Sequence, residues 1–286
     1  MSIKIIADSA SDLPKEFYDS YNIDMLPLLV YVDAKEYRDG VDIHSSEVFE
    51  YMKDGGIPTT AQVPYSVFDS KFRKLAEEGG SYIYIAFSSE LSGTYHTAKL
   101  VESEVKKDYP NLDLHIIDSQ SATLGLGLII LKAIKMSNEG CSKEEILQTI
   151  EFYINHMEHI FTVDNLDYLY RGGRISRTAA LMGTLLNIKP LLEVNEGKLI
   201  PIEKIRGKKR ALKKLIDIVD ERGANLQEQI IGLNHADNLE TVNYIKSILQ
   251  EKYGIKEFII NNVGSAIGSH TGPGFLGIYF LNKLQE

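Results

Sequence analysis

Short apolar runs alternate with longer helical segments over the first half of the 286-residue chain, and this alternation constrains the fold more than any other feature. Three runs are typical of buried strands: Ile3–Ala7, Ser81–Phe87 and Leu112–Ile117. The helical segments include Leu124–Met136, which is almost wholly apolar, and Ser142–Met157, which opens with a capping-box sequence. Because parallel strands are joined by right-handed helical crossovers, the sequence predicts a mainly parallel-sheet α/β domain.

The second half of the chain has a different pattern and predicts a mixed α+β domain. Two apolar runs flank the turn tripeptide Asn195-Glu196-Gly197, which indicates a hairpin over Pro190–Ile205. Two more helices and two more strands are predicted at Lys208–Glu221, Asn238–Tyr253, Gln229–Leu233 and Glu257–Val263. We therefore expect an α/β protein of two domains, residues 1–157 and 158–286, with a boundary near His156 to Ile160.

Charge and cysteine content exclude several classes of protein. The chain has 40 acidic and 31 basic residues, and its net charge of -9 argues against nucleic acid as the main partner. The single cysteine, Cys141, excludes an intramolecular disulfide and a cysteine zinc cluster and is typical of a reducing compartment, so we expect a cytoplasmic protein. No run approaches the ~18 apolar residues of a membrane span, and a charge precedes any signal-peptide core, so we expect no stable membrane insertion.

Small polar residues follow three of the predicted strands. They are Asp8-Ser9, the stretch Ser88–Thr94, and Asp118-Ser119-Gln120-Ser121. Because ligands bind at the carboxyl ends of strands in parallel sheets, we expect these ends to lie side by side along one edge and to form a site. Each Asp or Ser could instead cap the helix that follows it. Within the second stretch, Ser92-Gly93-Thr94 combines hydroxyls with free N–H groups at a helix start, a combination suited to binding an anion.

Two other segments are unusually rich in small and polar residues. Ile57–Pro64 is predicted to be a hydroxyl-bearing loop before a helix, and Ile267–Gly274 a glycine-rich loop that carries His270. We consider His270 a candidate site residue because the glycines around it offer little side-chain packing. His156 and His159 fall at the predicted domain boundary, where an incidental role is the simpler interpretation and metal binding is not expected.

Two clusters of basic residues stand out in this acidic chain. Arg171–Arg177 carries three arginines, and its two central glycines fit a turn that presents its backbone. Lys204–Lys214 carries seven basic residues and no acid, which could also be the solvated face of a helix.

Several familiar motifs are absent or misplaced. Gly272–Gly277 fits the pattern G-x-G-x-x-G, but only nine residues follow it, so no second strand or acidic partner is available for a dinucleotide. The chain has no phosphate-binding G-x-x-x-x-G-K-[ST], no H-E-x-x-H and no G-x-S-x-G. An ATP site, a zinc-protease site or an esterase elbow of known type is therefore not indicated.

Seven segments, spread in order over nearly the whole chain, together resemble the DegV family. They are Asp8–Pro14, Pro58–Gln62, Ser88–Tyr95, Asp118-Ser119, Tyr168–Ser176, Leu186–Leu192 and His270–Gly274. The resemblance implies a two-domain α/β protein that holds one long-chain fatty acid, such as palmitate, between its domains and needs no cofactor. For some members it implies a non-catalytic role as the binding subunit of a bacterial fatty acid kinase. Such a subunit presents the acyl carboxylate to a separate ATP-using subunit, and the acyl phosphate feeds phospholipid synthesis.

The resemblance also implies roles for individual residues. Thr60 matches the family threonine whose hydroxyl helps to hold the carboxylate, and Ser92, with the backbone at Gly93, matches the serine that does the same. His270 matches the histidine of that network. The chain departs from the family at Ala61–Pro64, where Ser-Gln-Pro-Ser is usual, and this puts the path of that loop in question but not Thr60.

The same resemblance implies a role in partner docking for the basic clusters. Arg171 and Arg174 match the family's Arg-Gly-Gly-Arg stretch near the mouth of the site, and Arg206, Lys208 and Lys209 could flank the same face. We expect these five residues to steer docking of a partner kinase rather than to hold lipid.

Two interpretations of the polar residues compete. In the first, the protein binds a fatty acid in a closed tunnel, which Leu124–Met136 and Ala179–Leu186 could line unless both are plain core helices. In the second, the protein is a serine hydrolase with Ser92 as nucleophile, His270 as base and Asp118 as the residue that orients it.

Overall fold

The computed structural model describes residues 3–176 and 187–285 of the chain. In these ranges the strands are β1 (Lys4–Asp8), β2 (Asp24–Leu26), β3 (Leu29–Val32), β4 (Lys35–Arg38), β5 (Thr59–Ala61), β6 (Ser81–Ala86), β7 (Asp113–Asp118), β8 (Met157–Thr162), β9 (Ile188–Asn195), β10 (Lys198–Arg206), β11 (Ile230–His235), β12 (Glu257–Asn262) and β13 (Leu276–Leu281). The α-helices are α1 (Lys15–Ser20), α2 (Ser45–Lys53), α3 (Tyr65–Glu78), α4 (Thr94–Asp108), α5 (Thr123–Asn138), α6 (Lys143–His156), α7 (Asp167–Arg171), α8 (Lys208–Arg222), α9 (Leu239–Tyr253) and α10 (Ser265–Thr271).

The N-terminal domain is built on a parallel sheet of strand order β2-β1-β6-β7, which confirms the predicted α/β architecture. Its central strands are covered on both faces, and Ile6, Ile83 and Ile85 are fully buried. Since β1, β6 and β7 are neighbours, their carboxyl ends lie side by side, as predicted. The side chain of Asp8 links two of them, because its Oδ2 accepts a hydrogen bond from the N–H of Phe87 at 2.8 Å.

The C-terminal domain is built on a mixed sheet of strand order β10-β9-β8-β13-β11-β12, as the second half of the sequence predicted. Only β11 and β12 are parallel among its described strand pairs. The predicted hairpin is confirmed as β9 and β10, and its turn places Glu196 and Gly197 at φ of 49° and 78°. Glycine tolerates that backbone without cost, which explains why the turn occurs at this tripeptide.

The stretch Met25–Val32 divides at Pro27, because proline has no N–H to donate within a strand. The residues before the proline form β2 at the edge of the parallel sheet, and those after it form β3. Strand β3 is the centre of a small antiparallel sheet of order β4-β3-β5. The prediction of a loop over Ile57–Pro64 was wrong for Thr59–Ala61, since pairing of Thr60 with Val30 makes those residues β5.

The prediction of a glycine-rich loop over Ile267–Gly274 was wrong for Ile267–Thr271, because Ser265–Thr271 form the helix α10. Two buried carboxylates cap its start: Asp12 accepts from the N–H of Gly264 at 3.0 Å, and Asp39 accepts from the N–H of Ser265 at 2.9 Å. These hydrogen bonds satisfy backbone N–H groups that the start of a helix leaves unpaired, and they outweigh the low helix propensity of glycine. The helix ends where Gly272 adopts a φ of 74°.

Helix α5 lies between the two domains and joins them. It packs against β1 of the first sheet and against β8, β11 and β13 of the second. Most of its side chains are buried, as its apolar sequence predicted, and the N–H of Leu124 donates to Oδ1 of Asn234 at 3.0 Å. Among the described residues, no helix is both long and apolar enough to cross a membrane.

Candidate functional site

A cavity of about 160 Å³ lies between the two domains. A single water needs only about 10–15 Å³ on the same measure, so the space suits a larger ligand. Most of the lining side chains are apolar, among them Leu28, Phe87, Leu91, Phe161, Leu169, Val194, Leu199, Ile267 and Phe275. A concave, mostly apolar space with a few polar groups is the usual form of a small-molecule site.

The two ends of the cavity differ in exposure. At one end, which we call the outer end, Thr60, Gln62, Gly93, Arg174 and His270 line the cavity and are only half-buried. At the other end, the inner end, Thr123, His159, Phe161 and Tyr279 line it and are buried. A ligand with one polar group would therefore place that group at the outer end, where solvent and polar side chains are available.

Thr60 and His270 meet at the outer end. Thr60 Oγ1 lies 2.6 Å from Nε2 of His270, although β5 carries the first residue and the last turn of α10 carries the second. Burial, together with the nearby charge of Arg174, lowers the pKa of His270 to about 4. The imidazole is therefore neutral near pH 7, and one of the two atoms in this hydrogen bond donates while the other accepts.

The Ser92-Gly93-Thr94 stretch lines the same end, at the start of α4. Ser92 Oγ lies 2.9 Å from Thr94 Oγ1 and accepts from the N–H of Thr94 at 3.3 Å. Gly93 is the N-cap of α4, and a Cβ atom there would collide with Oε1 of Gln62. A larger residue at this position would require the side chain of Gln62 to move, and glycine leaves the helix start open to the cavity.

The Arg-Gly-Gly-Arg stretch contacts His270 through Gly172, and its two arginines differ in position. Arg171 is exposed, whereas Arg174 lines the cavity and its Nε donates to the carbonyl of Leu91 at 3.0 Å. Arg174 also donates to the carbonyl of Gly172. Gly172 itself packs against the imidazole so closely that a Cβ atom there would collide with Nδ1 of His270.

The other predicted docking residues lie away from the cavity lining. Arg206, Lys208 and Lys209 are exposed at the end of β10 and the start of α8, and none of them lines the cavity. Their predicted role in docking stays a prediction.

The hydrolase arrangement receives no support from the described residues. Oδ2 of Asp118 accepts from Ser89 Oγ at 2.5 Å, and its Oδ1 accepts from the N–H of Ser89 at 3.0 Å. His270 bonds to Thr60 and Ser92 to Thr94, so Ser92, His270 and Asp118 form no chain of hydrogen bonds.

The predicted tunnel walls differ from the observed ones. None of the side chains of Leu124–Met136 lines this cavity, to which α5 contributes only Thr123 at its start. The helix is amply explained as core, since it is packed between the two sheets. The second predicted wall, Ala179–Leu186, lies outside the described residues.

Two residues that line the cavity, His159 and Gln62, were not predicted from the sequence to be site residues. His159, which we interpreted as incidental, lies on β8 at the inner end, and burial lowers its pKa to about 4. Gln62 keeps the glutamine of the usual Ser-Gln-Pro-Ser motif and contacts Thr97 through its side-chain amide. The alternation of β8 could have pointed to His159, because Met157, His159 and Phe161 share one face of that strand. In the described residues, no group of three or more His, Cys, Asp or Glu side chains is arranged to hold a metal ion.

Comparison with known proteins shows close relatives over the whole length. The family model for DegV matches residues 2–283. A DegV domain-containing protein of Clostridium perfringens is 40% identical over 99% of this chain and 98% of its own length. One of Caldanaerobacter subterraneus subsp. tengcongensis is 39% identical over 98% of this chain and 99% of its own length.

Solved structures show the same fold. A fatty-acid-binding DegV family protein from Thermus thermophilus is 31% identical, with a TM-score of 0.89 over 98% of this chain and 99% of that one. DegV of Bacillus subtilis, a fatty acid binding protein, is 31% identical, with a TM-score of 0.86 over 98% of both chains. The Fatty Acid Kinase (Fak) B3 protein of Streptococcus pneumoniae, loaded with linoleic acid, shares the fold at 22% identity and a TM-score of 0.86, over 99% of this chain and all of that one. By its family match and its relatives, this chain belongs to the DegV family.

Proposed function

We propose that this protein binds one long-chain fatty acid in the cavity between its domains, with the carboxylate at the outer end. The observation that carries the proposal is the meeting of Thr60 and His270 at the half-exposed end of an otherwise apolar cavity. The relatives from Thermus thermophilus and Bacillus subtilis bind fatty acids, which supports the same ligand class here.

The polar groups at the outer end suit a carboxylate. The hydroxyls of Thr60 and Ser92 can each donate one hydrogen bond, and the partly buried guanidinium of Arg174 supplies positive charge nearby. Burial lowers the pKa of that arginine, yet the group remains charged near pH 7. Hydrogen bonds from neutral hydroxyls hold a carboxylate without surrounding it, which leaves an oxygen free to react.

The apolar lining suits the acyl chain. Burial of about 14 methylene groups of palmitate, at ~0.8 kcal/mol each, gives a gross transfer free energy of about 11 kcal/mol. Such a contribution depends on excluding water, and the inner end is formed by buried side chains.

We further propose that the protein presents this carboxylate to a separate fatty acid kinase subunit in the cytoplasm and has no catalysis of its own. The family resemblance supports this role, and so does the exposure of the polar end, because a partner must reach the carboxylate to phosphorylate it. The absence of a known ATP-binding motif from the sequence fits a division of labour between two subunits.

Identification of the co-purified lipid tests the ligand class. Protein purified without added lipid should release one long-chain fatty acid per chain when it is denatured and measured by mass spectrometry. The same preparation should show no turnover of p-nitrophenyl esters. Ester turnover that disappears in Ser92→Ala would instead support the hydrolase interpretation.

A further inference from the structure

A second depression lies between the domains and is lined by the same three elements that form the inner end of the cavity. It has a volume of about 790 Å³, and we call it the rear groove. Leu128 of α5, Met157 of β8 and Leu281 of β13 line the rear groove. Thr123, His159 and Tyr279 of the same elements line the cavity. The two spaces are therefore neighbours along the domain interface.

The boundary between the two spaces falls at His159. Side chains two residues apart on a strand point to the same side, so Met157, His159 and Phe161 form one row along β8. Met157 faces the rear groove, and the next two residues in the row face the cavity. On β13, Tyr279 is paired directly with His159 and Leu281 with Met157, and they divide between the spaces in the same way.

The imidazole of His159 is tightly held at this boundary. Its exposure is 3%, and its ring meets that of Tyr279 edge to face with the centroids 5.6 Å apart. Nδ1 donates to the carbonyl of Met157 at 3.1 Å, which fixes the orientation of the ring. Nε2 faces the backbone of Gly125 so closely that a Cβ atom there would collide with it. Among the described residues, Nε2 has no hydrogen-bond partner.

We propose that His159, wedged between Gly125 and Tyr279, closes the inner end of the cavity and thereby sets the longest acyl chain that the protein accepts. The inference rests on the proposed function, since a carboxylate at the outer end sends the methyl end of the chain toward His159. A longer chain must displace the imidazole before it can enter the rear groove.

A chain-length series tests this role. Affinities of saturated fatty acids from about 14 to 24 carbons should rise roughly fourfold per added methylene in the wild type up to a limit, and then fall. In His159→Ala the limit should move up by about two carbons or more, because the volume of the imidazole becomes available in a close-packed interior. An unchanged limit in a folded His159→Ala variant would overturn the proposal.

His159→Phe is the matched control. It keeps a ring of similar size at the boundary but removes both nitrogens, so the chain-length limit should stay as in the wild type. A limit that shifts equally in His159→Phe and His159→Ala would mean that bulk at this position does not set it. If the wild type binds no fatty acid of the series, the proposed function itself is rejected. That result is distinct from an unchanged chain-length limit in His159→Ala.

Photo-crosslinking provides a test that needs no variant. A fatty acid of the longest accepted length, with a diazirine at its methyl end, should label the inner-end residues Thr123, His159 or Tyr279. Labelling of Met157, Leu128 or Leu281 would place the methyl end in the rear groove and contradict the proposed closure.

Discussion

Thr60 Oγ1 lies 2.6 Å from Nε2 of His270, although 210 residues separate them in the chain. The contact joins β5 of the small antiparallel sheet to the end of α10, and it lies at the outer end of the cavity. Because Gly172 packs on the other nitrogen of the same imidazole, three distant parts of the sequence determine one side-chain position. The proposed carboxylate site depends on that position.

Replacement of Ser92 by Ala should weaken fatty acid retention without changing the fold. The lost hydrogen bond to a charged group corresponds to roughly 1.5–3 kcal/mol, or about 10- to 150-fold in the dissociation constant for palmitate. Fluorescence competition or calorimetry on delipidated protein measures it. Ser89→Ala is the matched control, since Ser89 bonds to Asp118 and lies outside the cavity lining. Equal weakening by both substitutions would argue against a ligand contact at Ser92.

Replacement of Gly172 by Ala should displace His270 and reduce palmitate affinity, because the new Cβ atom collides with Nδ1 of the imidazole. The adjacent Gly173→Ala is the control. Gly173 has a φ of 74° and open space where a Cβ would lie, so its replacement should cost about 1 kcal/mol of stability and leave lipid binding intact. If the Gly172→Ala protein binds palmitate normally, the packing of Gly172 does not position His270.

Acidification should destabilise the protein partly through His270. Burial lowers its pKa from 6.5 to about 4, so the unfolded chain binds a proton between these values that the folded protein does not. Stability from this group is therefore present above about pH 6.5 and is lost as the pH falls toward 4. Burial raises the pKa of Asp8 to about 6 and also raises those of Asp12 and Asp39, which gives the opposite slope.

A variant isolates the contribution of the histidine. The unfolding free energy of His270→Gln, from denaturant titrations, should fall less between about pH 7 and pH 5 than that of the wild type. Identical pH dependence in the two proteins would mean that His270 is not buried as a neutral imidazole.

Charge reversal at Lys208 and Lys209 should leave co-purified lipid unchanged but slow acyl-phosphate formation with a cognate kinase subunit and ATP. Exposed charges act mainly on association rate, and salt screens them, so the defect should be larger at low ionic strength. Lys74→Glu, an exposed reversal on α3, is the control. If the charge-reversed protein is purified without lipid, these lysines belong to the pocket. If it supports normal acyl-phosphate formation at every salt concentration, they form only a solvated helix face.

Much of the fold could be predicted from the sequence, because its signals are local. Apolar runs and capping residues indicate the strands and helices of the parallel sheet, and the turn at Asn195–Gly197 indicates the hairpin. Helix α10 could not be predicted in this way. Its glycines suggest a loop, whereas the carboxylates of Asp12 and Asp39 that cap it lie more than 200 residues away.

Only some residues of the candidate site could be predicted from the sequence. Thr60, Ser92 and His270 carried the family resemblance and line one end of the cavity. Arg174 and His159 had to be placed by the structure, because their roles depend on neighbours from other elements. Both arginines were expected near the mouth of the site, and only Arg174 lines the cavity, although no local pattern distinguishes it from the exposed Arg171.

A crystal structure of the complex with palmitate would show where the ligand binds and in which direction it lies. We expect one palmitate in the cavity, with a carboxylate oxygen within about 3.2 Å of a side-chain atom of Thr60, Ser92 or His270 and the methyl end near His159. A palmitate bound in the reverse direction, or bound only in the rear groove, would contradict this expectation.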